Sequence, residues 1–320
     1  MLVLVAMVGC AALTDAPADT GSREPAFPSE REAWRWPFAS DSPWNVSVGD
    51  GLALLADGAC TEAVQSTSVD AWVNAAEWSH PVHLAAASDP VVAIWEDDFA
   101  PVSVSFPEVA EPSLPAWPEG DAHLHLVDAT GSTVTEMWQA RPRSDGDWDV
   151  DSLAQNDLSG SGIGRGGVRI YGGSAVGGLW RTGEVEAGAW HALALSLPVD
   201  VLAPEFVWPA TELSTSREDS MIGAVPVGQH VAIPQDVDEH VASTPAGRAL
   251  LRTLRDYGAF VVDHASGFAL YAEPGAEAEI DGMRSDIDLV RSLLQCSTNV
   301  SESAPGGPGA RRRPDAPPLD

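Results

Sequence analysis

The chain has 320 residues, 44% of them hydrophobic and 20% charged, which is enough to bury a substantial core and too apolar for a wholly disordered or fibrous polypeptide. Its 47 acidic residues face 17 basic ones, all arginine, for a formal net charge of -30. A field of that sign repels nucleic-acid backbones and anionic headgroups, so no nucleic-acid partner is expected, and the lack of lysine removes Schiff-base, phosphate-loop and Ser-Lys chemistry. Twelve Trp beside three Tyr predict aromatic core packing or a surface that stacks on flat ligands such as sugar rings.

Residues 1–10 read MLVLVAMVGC. This apolar run is too short to cross a bilayer, for which about 20 residues are needed. Its ending, Met7-Val8-Gly9-Cys10, resembles the lipobox of bacterial lipoproteins, in which small residues precede a Cys that receives lipid. Residues 11–30 follow as a tether rich in Pro, Ser, Thr and Asp. The expectation is an exported protein anchored to the bacterial cell envelope, meeting the lipid bilayer through Cys10 alone. Cys60 and Cys296 then remain as an even pair in a compartment that permits disulfides, and they are predicted to bond. The alternative is two separate buried thiols.

A single domain is expected over residues 31–300. Short strands are predicted over 91–95 and 101–106, and a Pro-rich surface crossing over 108–119. The best hairpin in the chain joins 122–128 (AHLHLVD) to 133–140 (TVTEMWQA) across Ala129-Thr130-Gly131-Ser132. A Gly-rich irregular stretch covers 157–178 and a strand covers 190–197, where His191 shares a face with leucines and reads as a core residue. The loop at 162–167 lacks the preceding strand and following helix of a dinucleotide site. Thr244 as N-cap, Pro245 at the first turn and Gly258 past the last bracket a helix with Leu250, Leu254 and Tyr257 on one face. Residues 259–263 and 268–273 read as a second hairpin, a helix over 286–295 leads to Cys296, and the tail 301–320, rich in Pro, Gly and Arg, is expected to remain disordered. The fold class predicted is mainly β with a few helices (α+β), an antiparallel β-sandwich or barrel-like single domain.

If Asp128 faces Thr133 across the first turn, opposed residues sum to 261 in number, setting His125 against Glu136 and His123 against Trp138. Asp121, His123, His125, Glu136 and Trp138 then share one strand face, and Ala122, Leu124, Leu126 and Met137 the other. The polar face groups acids, imidazoles and an indole that could perform acid–base work on a stacked substrate. Asp121, His123 and Glu136 are the candidate catalytic residues, with the two carboxylates diagonal and so at the longer spacing of an inverting glycosidase. His123-x-His125 with Asp121 is also a pattern that zinc or iron would accept, but chance produces it often, and neither a metal nor a cofactor is assigned. The bland alternative is a solvated face with a weak cross-strand His–Glu pair.

The order Ser42-Pro43-Trp44-Asn45, Gly120-Asp121-Ala122-His123, Glu136-Met137-Trp138-Gln139-Ala140, Gly177-Gly178-Leu179-Trp180-Arg181 with Glu184-Val185, His191-Ala192-Leu193 and Tyr257-Gly258-Ala259 running to Asp263 resembles a family of secreted bacterial proteins. It covers about residues 36–272. The resemblance implies export and a shared fold and carries no reaction with it. Its polar positions match Asp121, His123, Glu136, Trp138, Gln139, Arg181, Glu184 and His191. The chain departs from it at Ala122, at His125 and in the glycine run 159–178.

These readings converge on an exported lipoprotein acting on neutral glycans, a glycoside hydrolase or lyase, with His125, Trp138, Gln139, Arg181 and Glu184 as substrate-binding residues. His123, Glu136 and Trp138 are expected to line one open pocket with Arg181 and Glu184 at its rim. The alternative is a non-catalytic structural or glycan-binding protein of the envelope, whose partner is a cell-envelope polysaccharide. Expressed in a bacterial host, the wild type should incorporate a fatty-acid analogue and fractionate with membranes. A Cys10→Ala variant should do neither, and one that labels like its parent contradicts the anchor.

Overall fold

The computed structural model describes residues 25–66, 70–97, 99–164 and 166–319. Cys10 and the first part of the tether lie outside them. The architecture is a single mainly-β α+β domain built from several sheets, without a closed barrel.

The largest sheet has seven strands in the order Leu54–Leu55, Gln295–Ser297, His230–Ala232, Ala259–Ala265, Leu193–Pro198, Phe268–Tyr271, Ala71–Asn74. Pairing is mixed rather than antiparallel throughout. Leu193–Pro198 runs parallel to Ala259–Ala265 and antiparallel to Phe268–Tyr271, which is parallel to Ala71–Asn74. The second hairpin predicted from the sequence is therefore split. Its two strands have the opposed directions expected, but Leu193–Pro198 lies between them, because all six of its residues are buried and a strand without a solvent face belongs at the centre of a sheet.

The first hairpin forms as predicted. Leu124–Val127 pairs with Thr133–Trp138 in the register Leu124↔Met137, His125↔Glu136, Leu126↔Thr135, Val127↔Val134. Ser152–Asp157 and Val82–Leu84 extend it to four strands. One face, with Leu124, Leu126 and Met137, packs with Ile94, Phe106 and Val150 in a small core. The other face carries Val127 and Val134 into the main core beside Trp44, Leu193 and Phe260. Both faces are thus covered.

The glycine run has a packing reason. A Cβ at Gly177 would lie 2.5 Å from the Trp44 ring, and one at Gly178, where φ is 73°, would lie 2.4 Å from the Ala194 amide. Only glycine lets the chain pass between Trp44 and the central strand. Trp44 belongs to the Ser-Pro-Trp-Asn motif, whose Asn45 carboxamide accepts from Trp36 Nε1 at 2.8 Å and donates to the carbonyls of Pro37, Phe38 and Ala39. The motif is a structural knot.

Helix Pro245–Asp256 starts as predicted, with Thr244 Oγ1 accepting from the Gly247 amide at 2.9 Å. Cys60 on helix Ala59–Gln65 is bonded to Cys296, with Cα atoms 6.2 Å apart. The expectation of a disordered tail is overturned. Arg311 bridges to Gly49, Arg31 Nε donates to Pro317 O at 2.5 Å, and Ala316 is buried. The tail's arginines are drawn in by Asp256, a carboxylate 1% exposed that pairs with Arg255, Arg312 and Arg313. Composition alone could not reveal that this charge awaited them. Asp256→Asn should therefore release the tail. Limited trypsinolysis should cut after Arg311 and Arg312 at least about tenfold faster than in the wild type while the remaining domain resists, and an unchanged rate would show that Asp256 does not hold the tail.

Candidate functional site

The predicted polar face exists, but it does not face solvent. His125 and Glu136 are fully buried and His123 is 5% exposed. The open pocket expected over His123, Glu136 and Trp138 is absent, because the same strand face continues into Val127 and Val134 and docks on the main core. This corrects the proposed role of Glu136 as a solvent-facing acid paired with Asp121. The Glu136 carboxylate accepts from the Ser174 hydroxyl, from the Ala175 amide at 3.0 and 2.9 Å and from the Val176 amide at 3.5 Å. It fastens the hairpin sheet to the glycine-rich segment.

Arg181 and Glu184 are also placed elsewhere. Arg181 pairs with Glu273 at 2.9 Å and donates to Trp34 O, while Glu184 Oε1 lies 3.1 Å from His191 Nε2. They line a separate cleft with Arg31, Arg35, Trp36 and Trp190. His191 is the buried core residue expected; burial alone would lower its pKa, and the neighbouring Glu184 carboxylate more than reverses that, so it is raised. Gln139 turns back on its own loop, donating to Gly120 O at 2.7 Å.

Beside His123 and His125 the fold brings two residues the sequence reading missed. His80, which precedes strand Val82–Leu84, places its Nδ1 2.7 Å from His125 Nε2, with ring planes 4° apart. The His123 ring lies 4.1 Å from that of His80. Arg169, from the glycine-rich segment, donates from Nη2 to His80 Nε2 at 2.8 Å and sits 3.7 Å from the centroid of the Tyr271 ring. The three imidazoles each offer a nitrogen within 4.8 Å of the others. Burial and the Arg169 charge push all three toward the neutral form, His123 to about 3. No periodicity links residues 80, 125 and 169. A His-x-x-His at His80 and His83 beside the His-x-His at His123 and His125 was the available signal.

A second open cleft lies next to this buried cluster. It has a volume of about 810 Å³ and is lined by Trp72, Asn74, Glu77, Trp78, Asp121, His264, Tyr271, Glu277, Asp281 and Arg284, among others. Tyr271 belongs to both places. Asp121 is the one predicted catalytic residue that reaches the cleft, and Trp138 supports it with Nε1 donating to Asp121 Oδ1 at 3.4 Å. Trp78 is 40% exposed and has φ 48°, with its backbone N–H donating to Leu114 O. Ala122 and Gln139, which follow Asp121 and Trp138, also have positive φ, at 44° and 58°. Strained non-glycine backbone thus gathers along this edge. Asp263, one residue before His264, has its carboxyl pushed up by burial, which the charges of Arg169 and His264 only partly offset and the Asp121 charge reinforces.

No family model, curated protein or solved structure matches the chain. No helix among the described residues is long and apolar enough to cross a membrane.

Burial raises the Glu136 carboxyl from 4.5 to about 7 despite its three donors. The folded chain therefore binds more protons than the unfolded one between those values. This group's contribution to stability is full below about 4.5 and is lost as the pH rises through about 7. Glu136→Gln sets an NH2 donor against the Ala175 amide, which bonds Oε2 at 2.9 Å in the wild type, so at pH 5 it should be less stable than the wild type by about 1–3 kcal/mol. The gap should shrink toward pH 8, where only the wild type has lost stability. Denaturant unfolding of both proteins at the two pH values measures this, and a constant gap or none at pH 5 contradicts the assignment.

Proposed function

We propose that the protein is an exported, lipid-anchored envelope protein that binds glycans in the Trp72–Trp78 cleft. The observation that carries this reading is the cleft wall itself, where indole and phenol faces stand among carboxylates and amides that can accept and donate hydrogen bonds to hydroxyls. Glu77, Asp121, Glu277 and Asp281 outnumber Arg284 there, which favours neutral or amino-sugar units and disfavours polyuronates. The Cys60–Cys296 disulfide is in keeping with an oxidising compartment.

A second reading, hydrolysis, rests on Asp121 in the cleft and on Asp263, a carboxyl that feels the Asp121 charge and whose burial favours a proton. In it Asp263 donates to the leaving oxygen and Asp121 activates water, with Glu136 taking no part.

Calorimetric titration with glucosamine and N-acetylglucosamine oligomers should show binding that Trp78→Ala weakens about tenfold, the effect of losing a stacking and cation–π platform. Uronate oligomers should bind more weakly than either. Reducing-end release that Asp121→Asn abolishes while binding persists selects the hydrolase; binding without release selects the module. No binding of any oligomer removes both.

A further inference from the structure

We propose that His80, His123 and His125 hold one divalent transition-metal ion of the zinc, cobalt and copper group. Three imidazoles gathered without thiolates and free of carboxylate contact are a donor set for those ions. All three rings are buried. Burying them costs free energy that their present bonds do not recover, since the Nδ1 atoms of His123 and His125 and the Nε and Nη1 of Arg169 find no partner among the described residues.

The present geometry specifies what binding must change. Arg169 donates to His80 Nε2, so the ring proton of His80 is on Nδ1 and points at His125 Nε2, 2.7 Å away. The ion takes the place of that proton, which leaves to solvent, and the resulting His80 imidazolate accepts from the Arg169 guanidinium. Metal–nitrogen bonds of about 2.0–2.1 Å in a tetrahedron separate ligand nitrogens by about 3.3 Å. The two rings therefore move apart by roughly 0.6 Å, and His123 turns a nitrogen toward the gap. This site is independent of the glycan reading, and neither depends on the other's test.

The test is a cobalt(II) titration of the chelator-stripped full-length protein. One equivalent should produce the visible absorption of a nitrogen-ligated four-coordinate ion, and one equivalent of zinc(II) should abolish it. His80→Asn and His123→Asn should each weaken cobalt(II) binding by at least about 100-fold, while His240→Asn, at an exposed position, should not change it. Circular dichroism reports whether the variants are folded. Zinc-edge X-ray absorption on the wild type covers the case in which they are not, with three imidazoles expected in the ligand shell. Absence of the cobalt bands in the wild type, full binding by folded His80→Asn and His123→Asn, or an oxygen-only shell from surface carboxylates would each overturn the proposal.

Discussion

The carboxylate of Glu136 is the point through which the parts of this domain are joined. It projects from the hairpin sheet and accepts from Ser174, Ala175 and Val176 of the glycine-rich segment. That segment can approach only because Gly177 and Gly178 slip past Trp44 and the central strand. The same segment carries Arg169 to His80 and Tyr271. One hydrogen-bonded acid therefore fixes the distance between two sheets and, with it, the place of the buried histidines. Such a contact is demanding in both directions: satisfied, it defines one arrangement; broken, it leaves polar groups stranded in the core.

The polar residues of the hairpin have been divided between two environments. His123, His125 and Glu136 are closed in, neutral or near it, and bonded to protein. Asp121, a few residues earlier at the end of the same face, opens on the Trp72–Trp78 cleft. Tyr271 forms the wall between them, with Arg169 against its ring and its hydroxyl 2.5 Å from Ser196 Oγ. The cleft and the buried cluster thus meet at one side chain.

The large negative charge of the chain is not spread passively over its surface. Several arginines turn inward: Arg181 pairs with Glu273, Arg312 and Arg313 with the buried Asp256, and Arg169 bonds His80. Their planar heads serve this use because a guanidinium carries several donors and is weakly hydrated. Others, such as Arg141, Arg143 and Arg284, pair with exposed carboxylates, and acids still outnumber Arg284 in the cleft.

How much of this was legible in the sequence depends on the range of the interaction. Local patterns carried the helix cap at Thr244, the turn after Asp128 and the hairpin register to the residue, since alternation and turn chemistry act between near neighbours. Elimination among three cysteines gave the disulfide. Which face of the hairpin met solvent could not be read the same way, because Val127 and Val134 on the polar face bind to strands distant in sequence. The tail's ordering depended on Asp256, and the insertion of Leu193–Pro198 between two strands of an apparent hairpin depended on its burial on both sides. By itself the sequence determined the class of fold, the first hairpin with its register and the capped helix, while helix Ala59–Gln65 and strands such as Ser152–Asp157 and His230–Ala232 carried no readable local signal. Only the tertiary structure decided which polar groups are sealed and which are open, because burial is set by what packs from afar, and desolvation by that packing governs the chemistry a carboxylate or imidazole can perform.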